Sequence, residues 1–229
     1  MMAERKMEGA RLNYRPVGEA ELTGEERARA FGEWLSPEER ETRIRRAYLE
    51  RMATETAIDS PWYGLRVAFG REKAVEKALT DLGIECMVPM RKGRERRVRH
   101  RVIPGRPEPA ITGYVLVRFV PTAEACVGIL AVEHAVGLVG SDGVPFPISH
   151  REAMEFKAKA DDGALDWVRE SRVTFRAGTK VRFNGGPFSG LSGVVVSARA
   201  DRRGDAVVEV DAFGRRAAVT VPLAILEKV

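Results

Sequence analysis

The densest chemistry in this sequence is cationic. Between Arg91 and Arg106 stand seven arginines and one lysine against a single glutamate, a net +7 that leaves the rest of the +5 chain at −2. Charge gathered in one short segment suits contact with phosphates or with an acidic protein surface. Arg91, Lys92, Arg94, Arg96, Arg97, Arg99 and Arg101 are the candidate nucleic-acid contacts, because an arginine fork satisfies phosphate oxygens two at a time. The segment holds no aromatic side chain, so it can grip a phosphate backbone but offers no ring on which a base would stack. A merely solvated hairpin tip is the competing reading, and so one-sided a sign fits it poorly.

No catalytic constellation accompanies this charge. The three histidines are scattered: His100 lies in the arginine run, His134 follows a helical stretch and His150 begins another. None sits in a metalloprotease pattern or at a known spacing from a nucleophile. The glycine-rich Asn184-Gly185-Gly186-Pro187-Phe188-Ser189-Gly190-Leu191-Ser192-Gly193 lacks the lysine of a phosphate loop and lies between short strands, so its glycines are expected to make tight turns. Cys86 and Cys126 have neither CxxC spacing nor paired histidines and read as small apolar residues packed inside. The expectation is a binding protein with no cofactor or metal, and not an enzyme.

The elements that must position the basic segment follow from periodicity. Trp62–Phe69 reads as a strand, Arg71–Leu82 as an amphipathic helix ended by Gly83, and Ile84–Met90 as a second strand. The basic segment runs out and back as a hairpin or loop. Ile111–Val120 is a third strand, Thr122–Ala131 a helix, Val136–Val139 a short strand and Ser149–Ala160 a third helix. The order β-α-β-β-α-β-α predicts a mixed sheet with helices mainly on one face. Residues 161–177 lack a sustained period and read as a linker. Strands at Lys180–Asn184, Val194–Ala198, Ala206–Val210, Arg216–Val221 and Ile225–Lys228 predict a small closed five-stranded barrel. A linker of that kind predicts a module that moves independently. The first 59 residues form a charged extension with capping-box patterns at Thr23–Glu26 and Ser36–Glu39, read as helices near 23–35 and 37–56. That extension serves equally well as a partner-binding arm or as a solubilising tail.

The domains are therefore 1–59, 60–160, 161–177 and 178–229, an α+β chain with a β module at its end. No run approaches the length of a membrane span, and the N-terminus has no apolar core of a signal peptide, so a cytoplasmic monomer with no membrane association is expected.

The motifs carry a resemblance. Trp62-Tyr63 opening the first strand, Thr112-Gly113-Tyr114-Val115-Leu116-Val117, and Val136-Gly137-Leu138-Val139-Gly140 followed by Pro145 and Pro147-Ile148-Ser149 resemble the NusG N-terminal domain. Gly178–Val229, with G-T-K-V-R-F, G-P-F-S-G-L-S-G-V-V and a closing V-P-L-x-x-L-E-K-V, resembles a KOW domain. The resemblance to the NusG family covers residues 61–229. It implies an adaptor that modulates pausing, antitermination or termination by holding the clamp helices of the largest RNA polymerase subunit. Trp62, Ile111 and Tyr114, with Leu116 and Phe119 on the same strand, would line that surface; Trp62 fits a core position equally well. It further implies contact between the basic segment and the non-template DNA strand. The KOW domain would meet Rho or a small-subunit ribosomal protein through Phe188 and Leu191. This sequence departs from the family at Thr112, where proline is usual, and at Ile111, Cys126 and Leu191, where aromatics are common. The first 59 residues have no counterpart. These departures suit a specialised paralogue. An RNA- or ribosome-binding KOW protein is the alternative; it has no need of the Gly113-Tyr114 strand.

Overall fold

In the computed structural model the described residues are 60–141, 143–167, 175–198, 204–212 and 214–229. The helices expected over 23–35 and 37–56 with their capping boxes lie outside the described residues.

Strand β1 (Trp62–Val67) is the centre of a four-stranded sheet. Its partners are β7 (Tyr114–Arg118) and β8 (Ala135–Leu138), and β2 (Cys86–Met87) adds to the far side of β7. All pairings are antiparallel, with Leu116 opposite Gly64 and Tyr114 opposite Arg66. Alternation along β7 sorts side chains between the faces. Val115, Val117 and Phe119 point to helices α1 (Glu72–Asp81) and α2 (Ala123–Leu130), where they meet Tyr63, Leu65, Val75, Leu79 and Ile129. Leu116 and Trp62 point to the opposite face, toward α3 (His150–Asp161) and its Phe156. Phe119 therefore cannot share a surface with Leu116; it is core beneath the helices.

Local chemistry sets the helix ends. Gly83 takes φ 76° just past α1, a left-handed stop that needs no β-carbon. The Thr122 side chain accepts from the Ala125 N–H at the start of α2. A reciprocal capping box joins Ser149 and Glu152 on α3.

The second strand expected over 84–90 is two pieces. Pro89 has no N–H to give a ladder, and beyond it β3 (Met90–Lys92) leaves the sheet to pair with β6 (Pro107–Pro109). The basic segment then forms a ribbon, β4 (Arg96–Val98) against β5 (Arg101–Ile103). A further small pair is β9 (Gly140–Ser141) with β10 (Val144–Pro145).

The C-terminal module is one antiparallel sheet in the order β14-β13-β12-β11-β15, from β11 (Lys180–Phe183), β12 (Ser192–Ala198), β13 (Asp205–Asp211), β14 (Arg216–Pro222) and β15 (Leu226–Lys228). Five strands were expected and five form. Among the described residues β14 and β15 end the sheet without pairing to each other, joined by the single 3-10 turn Leu223–Ile225, where a closed barrel was expected. The module does not stand apart on its linker either. Val181, Phe183, Val208 and Val221 belong to the same buried cluster as Trp62, Leu116 and Phe156. Among the described residues no helix is long and apolar enough to cross a membrane.

Candidate functional site

The sheet face opposite α1 and α2 carries most residues expected to dock a partner, and the C-terminal module covers it. The 3-10 turn Gly186–Phe188 inserts there. Phe188 is 0% exposed, with its ring 4.9 Å from that of Tyr114, edge to face, and 5.5 Å from that of Phe183. Ile111 and Leu116 are buried beside it, and Tyr114 is half-buried. Burial also pushes the Tyr114 phenol above its ordinary pKa. Such an edge-to-face pair adds about 0.5–1.5 kcal/mol beyond its buried area.

Two glycines permit this approach. A β-carbon on Gly64, in the middle of β1, would stand 2.8 Å from Pro187 Cβ and 2.9 Å from Val139 Cγ2. One on Gly186, at φ 78°, would stand 2.8 Å from Ile111 Cδ1. Sequence reasoning passed over Gly64, although an isolated glycine inside a strand is a signal for close backbone approach. Leu191 is half-buried at the edge of the same cluster. Trp62 is buried, donates from Nε1 to His150 Nδ1 at 3.1 Å, and bridges to Ile148 through its backbone. It is a core residue at the border of the face.

Polar contacts fasten the module. Ser189 Oγ donates to Glu152 Oε1 at 2.9 Å, and Gly140 N donates to Ala212 O at 2.8 Å. The strongest contact engages Arg91. This first residue of the basic segment was expected to face nucleic acid; instead its side chain is 4% exposed. Its Nη1 and Nη2 donate to the two carboxylate oxygens of Asp205 at 2.6 and 2.9 Å, and its Nε donates to Glu108 at 3.1 Å. Burial alone would lower the Arg91 pKa; Asp205 and Glu108 outweigh it and hold the guanidinium charged. Nothing local in the sequence marks Asp205 as its partner 114 positions away.

The remaining basic residues divide. Lys92, Arg94, Arg99 and Arg101 are exposed, and Arg96 and Arg97 stand in the ribbon backbone. Arg99 turns the ribbon at φ 55°, a left-handed conformation that disfavours a β-carbon. Arg94 and Arg91 both lie over the ring of Trp167, 6.0 and 5.8 Å from guanidinium carbon to ring centre. The linker thus supplies the aromatic that the basic segment lacks, and no spacing in the sequence foretells it.

Cys86 and Cys126 are unbridged and half-buried, and burial pushes the Cys86 thiol up to about 11. Among the described residues no three His, Cys, Asp or Glu side chains are grouped to hold a metal ion.

The family model described as "Transcription termination factor nusG" matches residues 60–157. The NusG transcription termination/antitermination protein of Neisseria meningitidis is 29% identical over 188 residues, covering 75% of this chain and 99% of the relative. That of Treponema pallidum is 28% identical, covering 72% of this chain and 97% of the relative. A solved structure described as domain interaction in Thermotoga maritima NusG is 25% identical over 74% of this chain and 97% of its own, at a TM-score of 0.36. With residues 60–157 matched and the relatives aligned along almost their whole length, the chain is similar to the NusG transcription termination/antitermination proteins.

Proposed function

We propose that the chain is a non-catalytic adaptor that docks on RNA polymerase through the sheet face bearing Ile111, Tyr114 and Leu116, after the C-terminal module has lifted away. The observation that carries this reading is the cover itself. The apolar face is closed by a separate module held through one inserted turn, two glycine contacts and a few polar bonds. Lifted off, it uncovers an aromatic anchor among aliphatic residues, the composition in which interface binding energy concentrates. The clamp helices of the largest polymerase subunit are the partner that the family resemblance implies. Trp62 supports that face from the core, and Phe119 supports it from behind.

On the same reading, the exposed arginines of the ribbon lie along the non-template DNA strand. Release of the module also frees Phe188 and Leu191 for a second protein, Rho or a small-subunit ribosomal protein. Residues of one strand face and one turn are thus each used twice, against each other when closed and against separate partners when open.

Capture of purified RNA polymerase core tests the proposal, using the wild-type chain, Asp205→Arg and Asp205→Arg combined with Tyr114→Ala. Asp205→Arg sets a cation against Arg91, favours the open form and should retain more polymerase than wild type. Adding Tyr114→Ala should abolish the gain. Failure of both wild type and Asp205→Arg to retain polymerase, with binding to free RNA instead, would replace the adaptor reading by that of an RNA-binding protein.

A further inference from the structure

We propose that Trp167, Arg91 and Arg94 form a binding site for one nucleotide of a single-stranded nucleic acid, which the Gly204–Asp205 turn of the C-terminal module keeps shut by occupying it. The inference rests on the reading of the basic ribbon as a nucleic-acid contact and adds a specific site beside it.

Three observations define the site. First, Trp167 belongs to the N-terminal domain by its bonds: its N–H donates to Lys92 O at 3.0 Å, and the neighbouring Asp166 Oδ1 accepts from Lys92 N at 2.8 Å. When the module departs, the indole stays with the cationic strand. Second, the backbone of Gly204 in the module lies close against the ring. A β-carbon on Gly204 would stand 2.7 Å from Cζ2 and Cη2 of Trp167, so the Gly204 main chain packs against the six-membered part of the indole and leaves no room for a side chain there. Third, the next residue, Asp205, gives Arg91 a two-pronged anion. An arginine fork donates to two phosphate oxygens in the same geometry. Glycine backbone against the indole and carboxylate on the guanidinium stand together where base and phosphate of one nucleotide would.

The charges around the site favour this ligand once the turn leaves. Arg91 would keep Glu108 but lose its bidentate partner, and Arg94 faces the same ring. Glu95, Glu108 and Asp166 oppose an anion; Asp166 is engaged by the Lys92 N–H. Arg99, Arg101 and Arg106 continue exposed beyond them for the flanking phosphates. Stacking demands an unpaired base, which selects single strands over duplex. Because the turn and the nucleotide exclude one another, binding and module release are linked, and each favours the other by the same factor.

The test is fluorescence anisotropy of a labelled dT12 oligonucleotide, an abasic 12-mer and a 12-base-pair duplex, titrated with the full chain. Asp205→Asn should tighten dT12 binding about tenfold, and dT12 should bind better than the abasic strand. In that background Trp167→Ala should weaken dT12 binding about 5- to 100-fold and leave abasic binding unchanged, whereas Trp167→Phe should keep much of the preference. The Phe variant retains a ring, so a folding failure of the Ala variant leaves the test intact. A dT12 preference that survives Trp167→Ala overturns the site. Equal binding of duplex, or equal competition by polyglutamate, overturns it too. Arg99→Glu with Arg101→Glu separates the two readings. If these remove binding while the Trp167 and Asp205 variants match wild type, the ribbon reading stands and the nucleotide site falls. If no variant changes binding, both fall.

Discussion

Gly64→Ala should open the closed form without harming the domain that carries it. The substitution adds one methyl group in the middle of β1, where the backbone is ordinary strand and accepts any side chain. The cost is steric: the new β-carbon meets Pro187 Cβ at 2.8 Å, Val139 Cγ2 at 2.9 Å and Pro187 O at 3.1 Å, all nearer than van der Waals contact. Two of the three belong to the inserted turn, so they vanish when the module lifts, and Val139 then has room to rotate. Overpacking of this degree costs about 1–3 kcal/mol. The entropic gain of replacing glycine, about 0.4–1 kcal/mol, is common to open and closed forms and cancels between them. The closed form should therefore lose roughly 5- to 150-fold in population relative to the open form. Amide hydrogen exchange reads this directly. The Gly140 N–H is bonded to Ala212 O across the junction, while the Arg118 N–H is bonded to Glu85 O inside the N-terminal domain. Gly140 exchange should accelerate by the stated factor and Arg118 exchange should hold. Unchanged Gly140 exchange would show that the turn yields locally, and the idea that Gly64 gates the closure would be wrong.

Asp205→Asn should lower the urea-unfolding free energy by about 3 kcal/mol, because it leaves a buried guanidinium with one carboxylate. Exchanging the charges, Arg91→Asp with Asp205→Arg, should not restore it, since Glu108 would then face a like charge; a full recovery in the same urea titration would contradict this. The Glu152 carboxyl is held below its ordinary pKa, first by the Ser149 hydroxyl, against a smaller opposing effect of burial. A depressed folded pKa stabilises above the unfolded value and is lost as pH falls through the folded one. Ser149→Ala should therefore cost about 1 kcal/mol at pH 7 and less at pH 3, as compared by denaturant midpoints. The Cys86 thiol, raised from 9.0 to about 11, should alkylate about a hundredfold more slowly at pH 8 than a free thiol, followed by mass spectrometry. Arg99→Gly relieves a left-handed non-glycine turn and should slow amide exchange across the ribbon severalfold, corresponding to about 1 kcal/mol.

What the sequence by itself determined is local or periodic. The alternation of Tyr114–Phe119 and of Trp62–Val67 defines two strands with one face toward helices, because a pleated chain turns successive side chains to opposite sides. Gly83 stops a helix through its φ preference, whereas reading 84–90 as one strand missed the break at Pro89, although the missing N–H accounts for it. The motifs around Gly113-Tyr114 and Gly186–Gly193 carry the resemblance to the NusG family. The pairing of partners distant in the chain belonged to tertiary structure alone. Arg91 looked like a phosphate contact because its neighbours are cations, yet folding brings Asp205 to it from 114 positions away and buries it. Phe188 looked like a partner-binding residue, and it is one whose partner here is Tyr114. Trp167 lay in an aperiodic linker and ends between the arginines and the Gly204 backbone. Charge and hydrophobicity tell which side chains need a partner; the partner itself is chosen by the summed geometry of the chain between them, which no short window of sequence contains.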